Sequence, residues 1–297
     1  MKYPEFTLAD YITGEKYQRC CDVNCEDNQK LSSDYAQKIQ NSGKSVLSIF
    51  CQTHNLKTVV PALSEMKNKR FVLVSHNSDG VLNYHDSGRW FDYQWKPVEN
   101  IRYWISQNVD IEEPNVIPIP VAVENTYIFK PEIKQQLMND LAKAGIEKDM
   151  RAFMCFNVAT NPTDRGAAQK YFSNKPWCSN MAGYNNIKLV KPYFEEMAKH
   201  RFVISPEGNG LDVIRTWEAI YMGCIPIVKP HVFTKWYARQ LPIIVVNSWE
   251  DVTPEFLEKM YDEMKDATYN FELLRMSFWK CEIERYKKLC EGEYYVV

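Results

Sequence analysis

The chain has 297 residues, 45% of them hydrophobic and 25% charged, a length and balance that supply core for one large domain or two ordinary ones. Its 36 Lys and Arg against 38 Asp and Glu give a net charge of −2, which leaves no electrostatic case for nucleic acid or an anionic membrane as the main partner. No run approaches the roughly 20 apolar residues that cross a bilayer, and the opening MKYPEFTLAD lacks a basic stretch followed by an apolar one, so neither a membrane span nor a signal peptide is expected.

Residues 1–43 read as a polar, irregular lead-in. Ser45–Cys51 (SVLSIFC) is a buried strand, Lys57–Lys69 a helix and Phe71–Ser75 (FVLVS) a second, parallel strand. The long loop HNSDGVLNYHDSGRWFDYQW follows, dense in ionisable and aromatic residues, as functional loops at strand ends are. Asn100–Asn108 reads as a helix, Asn115–Val123 as a proline-punctuated strand and Pro131–Ile146 as a connecting helix. From Arg151 a second α/β unit begins with the strand AFMCFNV, the loop ATNPTDRG and the helix AAQKYF. A helix over Asn186–His200, a strand over Ile243–Val246 and closing helices over Pro254–Lys265 and Tyr269–Cys290 complete the chain. The fold class is therefore α/β, with a first domain over 1–140, a second over 141–270 and a terminal helical segment over 271–297.

Nine cysteines are an odd number and mostly scattered. Cys51, Cys155 and Cys224 sit inside apolar runs as small hydrophobes, and Cys20, Cys21 and Cys25 lack the second pair that a zinc site needs. No metal site is expected, and a reducing compartment, the cytoplasm, fits this usage.

The densest signal runs from Phe202 to Val228: FVISPEGNGLDVIRTWEAIYMGCIPIV. It reads as strand, glycine-bearing turn, helix, glycine stop and strand, with Ser205, Glu207, Gly208, Asn209 and Gly210 at the turn. Open α/β sheets bind ligands outside the carboxyl ends of their strands, where helix N-termini attract phosphate. Asp212, Arg215 and Glu218 stand three apart and share one helix face. There Arg215 can neutralise a diphosphate and Glu218 accept the hydroxyls of a ribose. The alternative is an i,i+3 ion-pair ladder on a solvated face.

Pro206, Gly208, Arg215, Glu218, Ala219, Gly223, Cys224, Ile225 and Pro226 together resemble the sugar-nucleotide signature of exostosin-like glycosyltransferases. The resemblance implies a GT-B architecture, two Rossmann-like halves facing a cleft, with the nucleotide sugar held by the second half and the last helix returning to the first. It implies an inverting transferase, similar in size and layout to small soluble viral xylosyltransferases, that moves a sugar from a UDP-sugar, with UDP-xylose the expected donor, to a hydroxyl of a glycan acceptor, with no cofactor. Glu207, where that family often has a basic residue, and Asn209 with Asp212 also resemble the turn of α1,3-fucosyltransferases that use GDP-fucose. A nucleotide- or carbohydrate-binding module without turnover stays open beside both.

Glycosyl transfer demands that the leaving diphosphate be stabilised and the acceptor hydroxyl deprotonated. The sequence holds no Asp-x-Asp, the motif with which many such enzymes carry a divalent metal, so side-chain cations are expected to serve. Arg165, in the loop after the first strand of the second domain, is the second phosphate cation; its alternative is a surface pair with Asp164. Asn157, Thr160 and Asn161 shape the same pocket. The general base is sought in the first-domain loop, where Asp79 leads, His76 follows and His85, Asp86 and Asp92 are further candidates. Trp90, Phe91, Tyr93 and Trp95 are expected to line the acceptor site or to be core.

Overall fold

The computed structural model describes residues 3–25, 33–85, 91–125, 131–183 and 189–292, so that Asp86 and Trp90 lie outside the described residues. The chain divides into two compact units, one of residues 12–121 and 275–297, the other of residues 1–11 and 122–274. No helix among the described residues is long and apolar enough to cross a membrane.

In the first unit five parallel strands stand in the order β1 (Val23–Asn24), β2 (Val46–Gln52), β3 (Arg70–His76), β6 (Ile101–Ser106), β7 (Val116–Pro118). A parallel pair, β4 (Leu82–Asn83) and β5 (Tyr93–Gln94), forms a small separate sheet. Strands β2 and β3 are buried almost end to end, as strands covered on both faces must be, and this is why their sequences are unbroken apolar runs. Helices α1 (Gly14–Cys20), α2 (Ser33–Gln40) and α3 (Leu56–Ser64) belong here. The expected irregular lead-in is thus replaced by structure: Thr13 Oγ1 caps α1 by accepting from Lys16 N at 3.2 Å, and Asp22 fixes the strand that follows.

Asp22 accepts from Ser48 N at 2.9 Å and Lys44 Nζ at 2.6 Å, and its other partner is Lys287 Nζ at 3.0 Å on the helix Met276–Glu291, named α10 below. Burial works to raise the Asp22 carboxyl, but hydrogen bonds from Lys44, Ser48 and Lys287 outweigh it and hold the group well below the usual carboxylate range. Helix α10 also lays Trp279 against Tyr17 and receives Arg70 Nη1 on the Cys290 carbonyl at 2.6 Å, which ties it to this unit.

The expected helix over Asn100–Asn108 is instead β6, paired with β3 from Phe71–Ile101 to Ser75–Ser106. Asn100 does cap a helix, though not one of its own. Its Nδ2 donates to Leu63 O at 2.6 Å and Met66 O at 3.2 Å, closing the carboxyl end of α3.

The second unit carries strands β8 (Asp149–Phe156), β9 (Cys178–Ala182), β10 (His200–Ile204), β11 (Ile225–Val228) and β12 (Ile244–Val245). They lie in the order β12-β11-β10-β8-β9, all parallel, so each connection is a crossover. Its helices are α4 (Pro131–Lys143), α5 (Asp164–Phe172), α6 (Val190–Met197), α7 (Ile214–Tyr221), α8 (Val232–Ala238) and α9 (Pro254–Met264). Both sheets are Rossmann-like parallel α/β arrangements. The division falls after residue 121 instead of near 140, because α4 packs on α6 and α7. Residues 3–11 join the same unit, with Phe6 edge-on and Tyr11 tilted against Tyr221 at ring-centroid distances of 4.9 and 4.6 Å and the Tyr11 hydroxyl donating to Asn139 Oδ1 at 2.8 Å.

The two sheets differ in one respect that bears on ligand binding. In the first, the described strands run across the sheet in chain order. In the second, the chain goes from β8 to β9 on one side, then returns to β10 on the other. Crossovers therefore leave the neighbouring strands β8 and β10 in opposite directions, which opens a crevice at their carboxyl ends.

Candidate functional site

That crevice is where the sequence places its densest motif. Strand β8 ends at Phe156, and Asn157 starts a turn by accepting from Ala159 N at 3.0 Å on its Oδ1. Asn161 Oδ1 accepts from Asp164 N at 3.1 Å, and α5 begins. These two local caps set Arg165, in the first turn of α5, back over the strand end. The Arg165 side chain is buried: Nε donates to Glu207 O at 2.7 Å, and Nη1 donates to Asn157 O at 3.0 Å and to Thr160 Oγ1.

Across the crevice, β10 ends at Ile204 and the chain turns through Ser205–Val213 into α7. Ser205 Oγ and Thr216 Oγ1 bond at 2.9 Å, joining the strand end to the helix. Gly208 N donates to Gly210 O at 3.1 Å, and a β-carbon on Gly208 would come within 2.8 Å of Arg165 Nη2. Any larger residue there would push on the guanidinium, because the turn lies directly on it. Asn209 is exposed at the tip of the turn, while Gly210 is buried.

Arg215, in the first turn of α7, points to the same place as Arg165. Its Cζ lies 5.6 Å from the Phe156 ring centroid and that of Arg165 lies 5.9 Å from it, so two guanidiniums share one aromatic platform. The Arg215 Nε and Nη1 are buried, and among the described residues they have no hydrogen-bond partner and no carboxylate pairs with Arg215. Burial first, and then the charge of Arg215, push Arg165 down to about 10. An anion carrying two charges would offset two like charges held close and partly stripped of water.

The expected alternative for Arg165, a surface pair with Asp164, does not describe this geometry. Asp164 instead accepts from Trp249 Nε1 at 2.9 Å and from Glu207 N at 3.1 Å. Burial pushes its carboxyl up, the Trp249 hydrogen bond opposes this, and the charge of Glu207 adds to the rise. Glu207 in turn bonds His231 Nε2 through Oε1 at 2.6 Å. Trp249 and His231 were missed by sequence reasoning. His231 stands one residue before α8 and gives no local signal beyond its position at a helix start.

Two residues of the expected binding face have other roles. Asp212 accepts from Trp217 Nε1 at 2.6 Å and is buried, so it fixes the indole under the turn. Glu218 is 2% exposed: Tyr193 donates to its Oε2 at 2.8 Å and Lys134 Nζ reaches its Oε1 at 3.4 Å, while Lys134 also pairs with Glu124. A ribose cannot reach a carboxylate closed in this way, and neither residue joins Arg215 in an ion-pair ladder.

Glu218→Ala is accordingly expected to destabilise the fold by on the order of 3 kcal/mol, since it breaks a buried ionic network. Glu218→Gln retains an acceptor for Tyr193 and should cost about 1 kcal/mol or less. Burial, and secondly the Glu218 charge, raise the Glu124 carboxyl against the pull of Lys134. A folded pKa above the unfolded value, about 4.3, contributes stability that is complete below that value and is lost as pH rises through the raised one. Glu218→Gln should flatten this loss in denaturant titrations at a series of pH values. Full stability in Glu218→Ala would contradict the network.

In the first unit, Asp79 is exposed in the turn after β3. His76 is 2% exposed, with Nδ1 on Asn77 Oδ1 at 2.9 Å and Nε2 on Pro120 O at 3.1 Å, and burial lowers its pKa. A ring with both nitrogens engaged in the core cannot serve as the base. Asp92 is also buried, its Oδ1 accepting from Val81 N at 2.9 Å, and Trp95 is core, whereas His85 and Phe91 are exposed.

No protein-family model matches the chain. Over 109 residues, 37% of the chain, it is 30% identical to an Arabidopsis thaliana protein named as a probable glycosyltransferase. The chain matches 20% of that relative's length.

Proposed function

We propose that the chain is a glycosyltransferase of the GT-B type whose second unit holds the diphosphate of a nucleotide sugar. The observation that carries this is the pair Arg165 and Arg215 over the Phe156 ring, with two Arg215 nitrogens buried and unpartnered, at the strand reversal of a parallel sheet. The local likeness to a named glycosyltransferase supports the reaction class. In the finer reading, which the resemblance of the 202–228 run supports, the sugar comes from a UDP-sugar, UDP-xylose first among them, and passes with inversion to a hydroxyl of a glycan.

The step is a displacement. The acceptor oxygen attacks the anomeric carbon, the bond from that carbon to the diphosphate oxygen breaks, and the diphosphate leaves with the electron pair. Arg165 and Arg215 stabilise the charge that develops on it. The turn Ser205–Gly210 brings backbone close to the phosphates, and Glu207, held by His231, keeps its carboxylate turned to an imidazole. A base takes the acceptor proton, and Asp79 is the residue proposed for it.

The test is a thermal-shift and turnover screen of nucleotide sugars on the intact chain, with and without EDTA. A nucleotide sugar at 100 times its Kd should stabilise the fold by about 2.7 kcal/mol. A UDP-sugar should give the largest shift and be turned over, with the rate retained in EDTA. A shift without turnover on any acceptor would make the chain a binding module. Loss of turnover in EDTA with recovery in manganese would overturn the role given to the arginines.

A further inference from the structure

We infer that the groove between β8, β9 and α5 takes the nucleobase of a nucleoside diphosphate whose phosphates lie on Arg165 and Arg215. This rests on the diphosphate reading above and extends it to the other end of the ligand. The groove encloses about 480 Å³ and is lined by Met154, Phe156, Asn157, Gln169, Asn180 and Ala182, among others. That volume falls within the range of small-molecule sites, about 300–1,000 Å³.

Three observations select the occupant. First, Phe156 belongs to both places, because it lines the groove and also carries the two guanidiniums within 6 Å of its ring. A ligand anchored on the arginines therefore has the groove as its neighbour. Second, the groove contains apolar surface from Met154, Phe156 and Ala182, and its lining carries no charged side chain among the described residues, which suits a neutral ring better than a second phosphate or a carboxylate. Third, the charge-free polar groups are the amides of Asn157, Gln169 and Asn180, each presenting a donor and an acceptor together. The edge of a nucleobase presents the same alternation. Asn157 also links the two sites, since its carbonyl accepts from Arg165 Nη1 at 3.0 Å.

Gln169, Asn180 and Ala182 are exposed, so they can be replaced without disturbing the core. Binding of inorganic pyrophosphate reads the arginine site alone, and binding of UDP, GDP and ADP reads both sites. Calorimetry on the wild type should show one nucleoside diphosphate binding at least about tenfold more tightly than pyrophosphate, since a base adds contacts that pyrophosphate lacks. Ala182→Phe fills the groove and Asn180→Leu removes an amide. Each should bring that nucleotide about tenfold closer to pyrophosphate while leaving pyrophosphate affinity and the melting temperature unchanged. Nucleotide affinity unaltered in both variants, with pyrophosphate still bound, would place the base elsewhere and overturn this inference alone. Absence of binding by pyrophosphate and by every nucleotide would overturn the diphosphate reading, and this inference with it.

Discussion

Arg215→Ala should lower glycosyl transfer by about 10²–10³-fold, the usual effect of removing one preorganised group from a developing anion. It should also abolish most of the stabilisation that a nucleoside diphosphate confers. The free protein already bears a cost at this site. Two guanidiniums lie within 6 Å of one phenyl ring, and the charge of Arg215, second to burial, depresses the Arg165 pKa. Among the described residues no carboxylate pairs with Arg215, and the charge of Asp164 offsets the depression of Arg165 only in part. Removing Arg215 should therefore leave the ligand-free fold as stable as before, or slightly more so, because the repulsion and two orphaned nitrogens go with it. Gain of stability with loss of binding is the pattern of a functional residue, whereas a structural arginine would show loss of both. Arg215→Lys should recover the rate only in part, because an ammonium lacks the planar fork that meets two phosphate oxygens. Turnover, nucleotide-induced melting shift and ligand-free melting temperature measured together decide the matter. A ligand-free Arg215→Ala protein that melts several degrees lower, with its nucleotide shift intact, would refute this role.

How far the site could be read from the sequence depended on whether each partner was local or distant. The strands β2 and β3 were legible because a strand buried on both faces has to be an uninterrupted apolar run. The positions of Arg165 and Arg215 were legible because each lies in the first turn of the helix that follows a strand end, where a parallel sheet exposes its ligand edge, while phosphate binding by the pair is what is proposed for them. The segment Asn100–Asn108 reads as a helix in sequence but is a strand, and the Asn100 side chain has a distant partner. Its amide in fact closes α3, more than 30 residues earlier, and no spacing reveals that. Glu218 misled for a related reason. Three-residue spacing correctly sets it near the side of α7 that bears Arg215, but only the tertiary fold brings Tyr193 and Lys134 over its carboxylate. His76 was drawn into the site by its place at a strand end, and the Pro120 carbonyl and Asn77 enclose it there. The Phe156 ring could be read as core, as it is, and its second use as a platform for two arginines appears only when α5 and α7 are in place.

Asp79→Asn should reduce transfer by about 10²–10⁴-fold, the contribution of a positioned general base, while nucleotide binding and stability stay at their wild-type values. The loop around Asp79 makes this a clean substitution. Asn77 before it adopts a left-handed φ of 55°, and Ser78 is fixed on both sides, its Oγ accepting from Gly80 N at 3.1 Å and its carbonyl from Asn108 Nδ2 at 3.0 Å. A β-carbon on Gly80 would come within 1.8 Å of the Phe91 carbonyl oxygen, so the chain is closely packed immediately after Asp79 as well. The backbone on either side is thus held by other residues, and the Asp79 side chain itself is exposed. A residue needed only for the turn would be found bonding within it, and asparagine would replace aspartate there with little effect. What asparagine cannot do is accept the acceptor proton. Single-turnover transfer by Asp79→Asn near the wild-type rate, with nucleotide binding intact, would remove Asp79 from the reaction and leave the base to be sought among residues outside this turn.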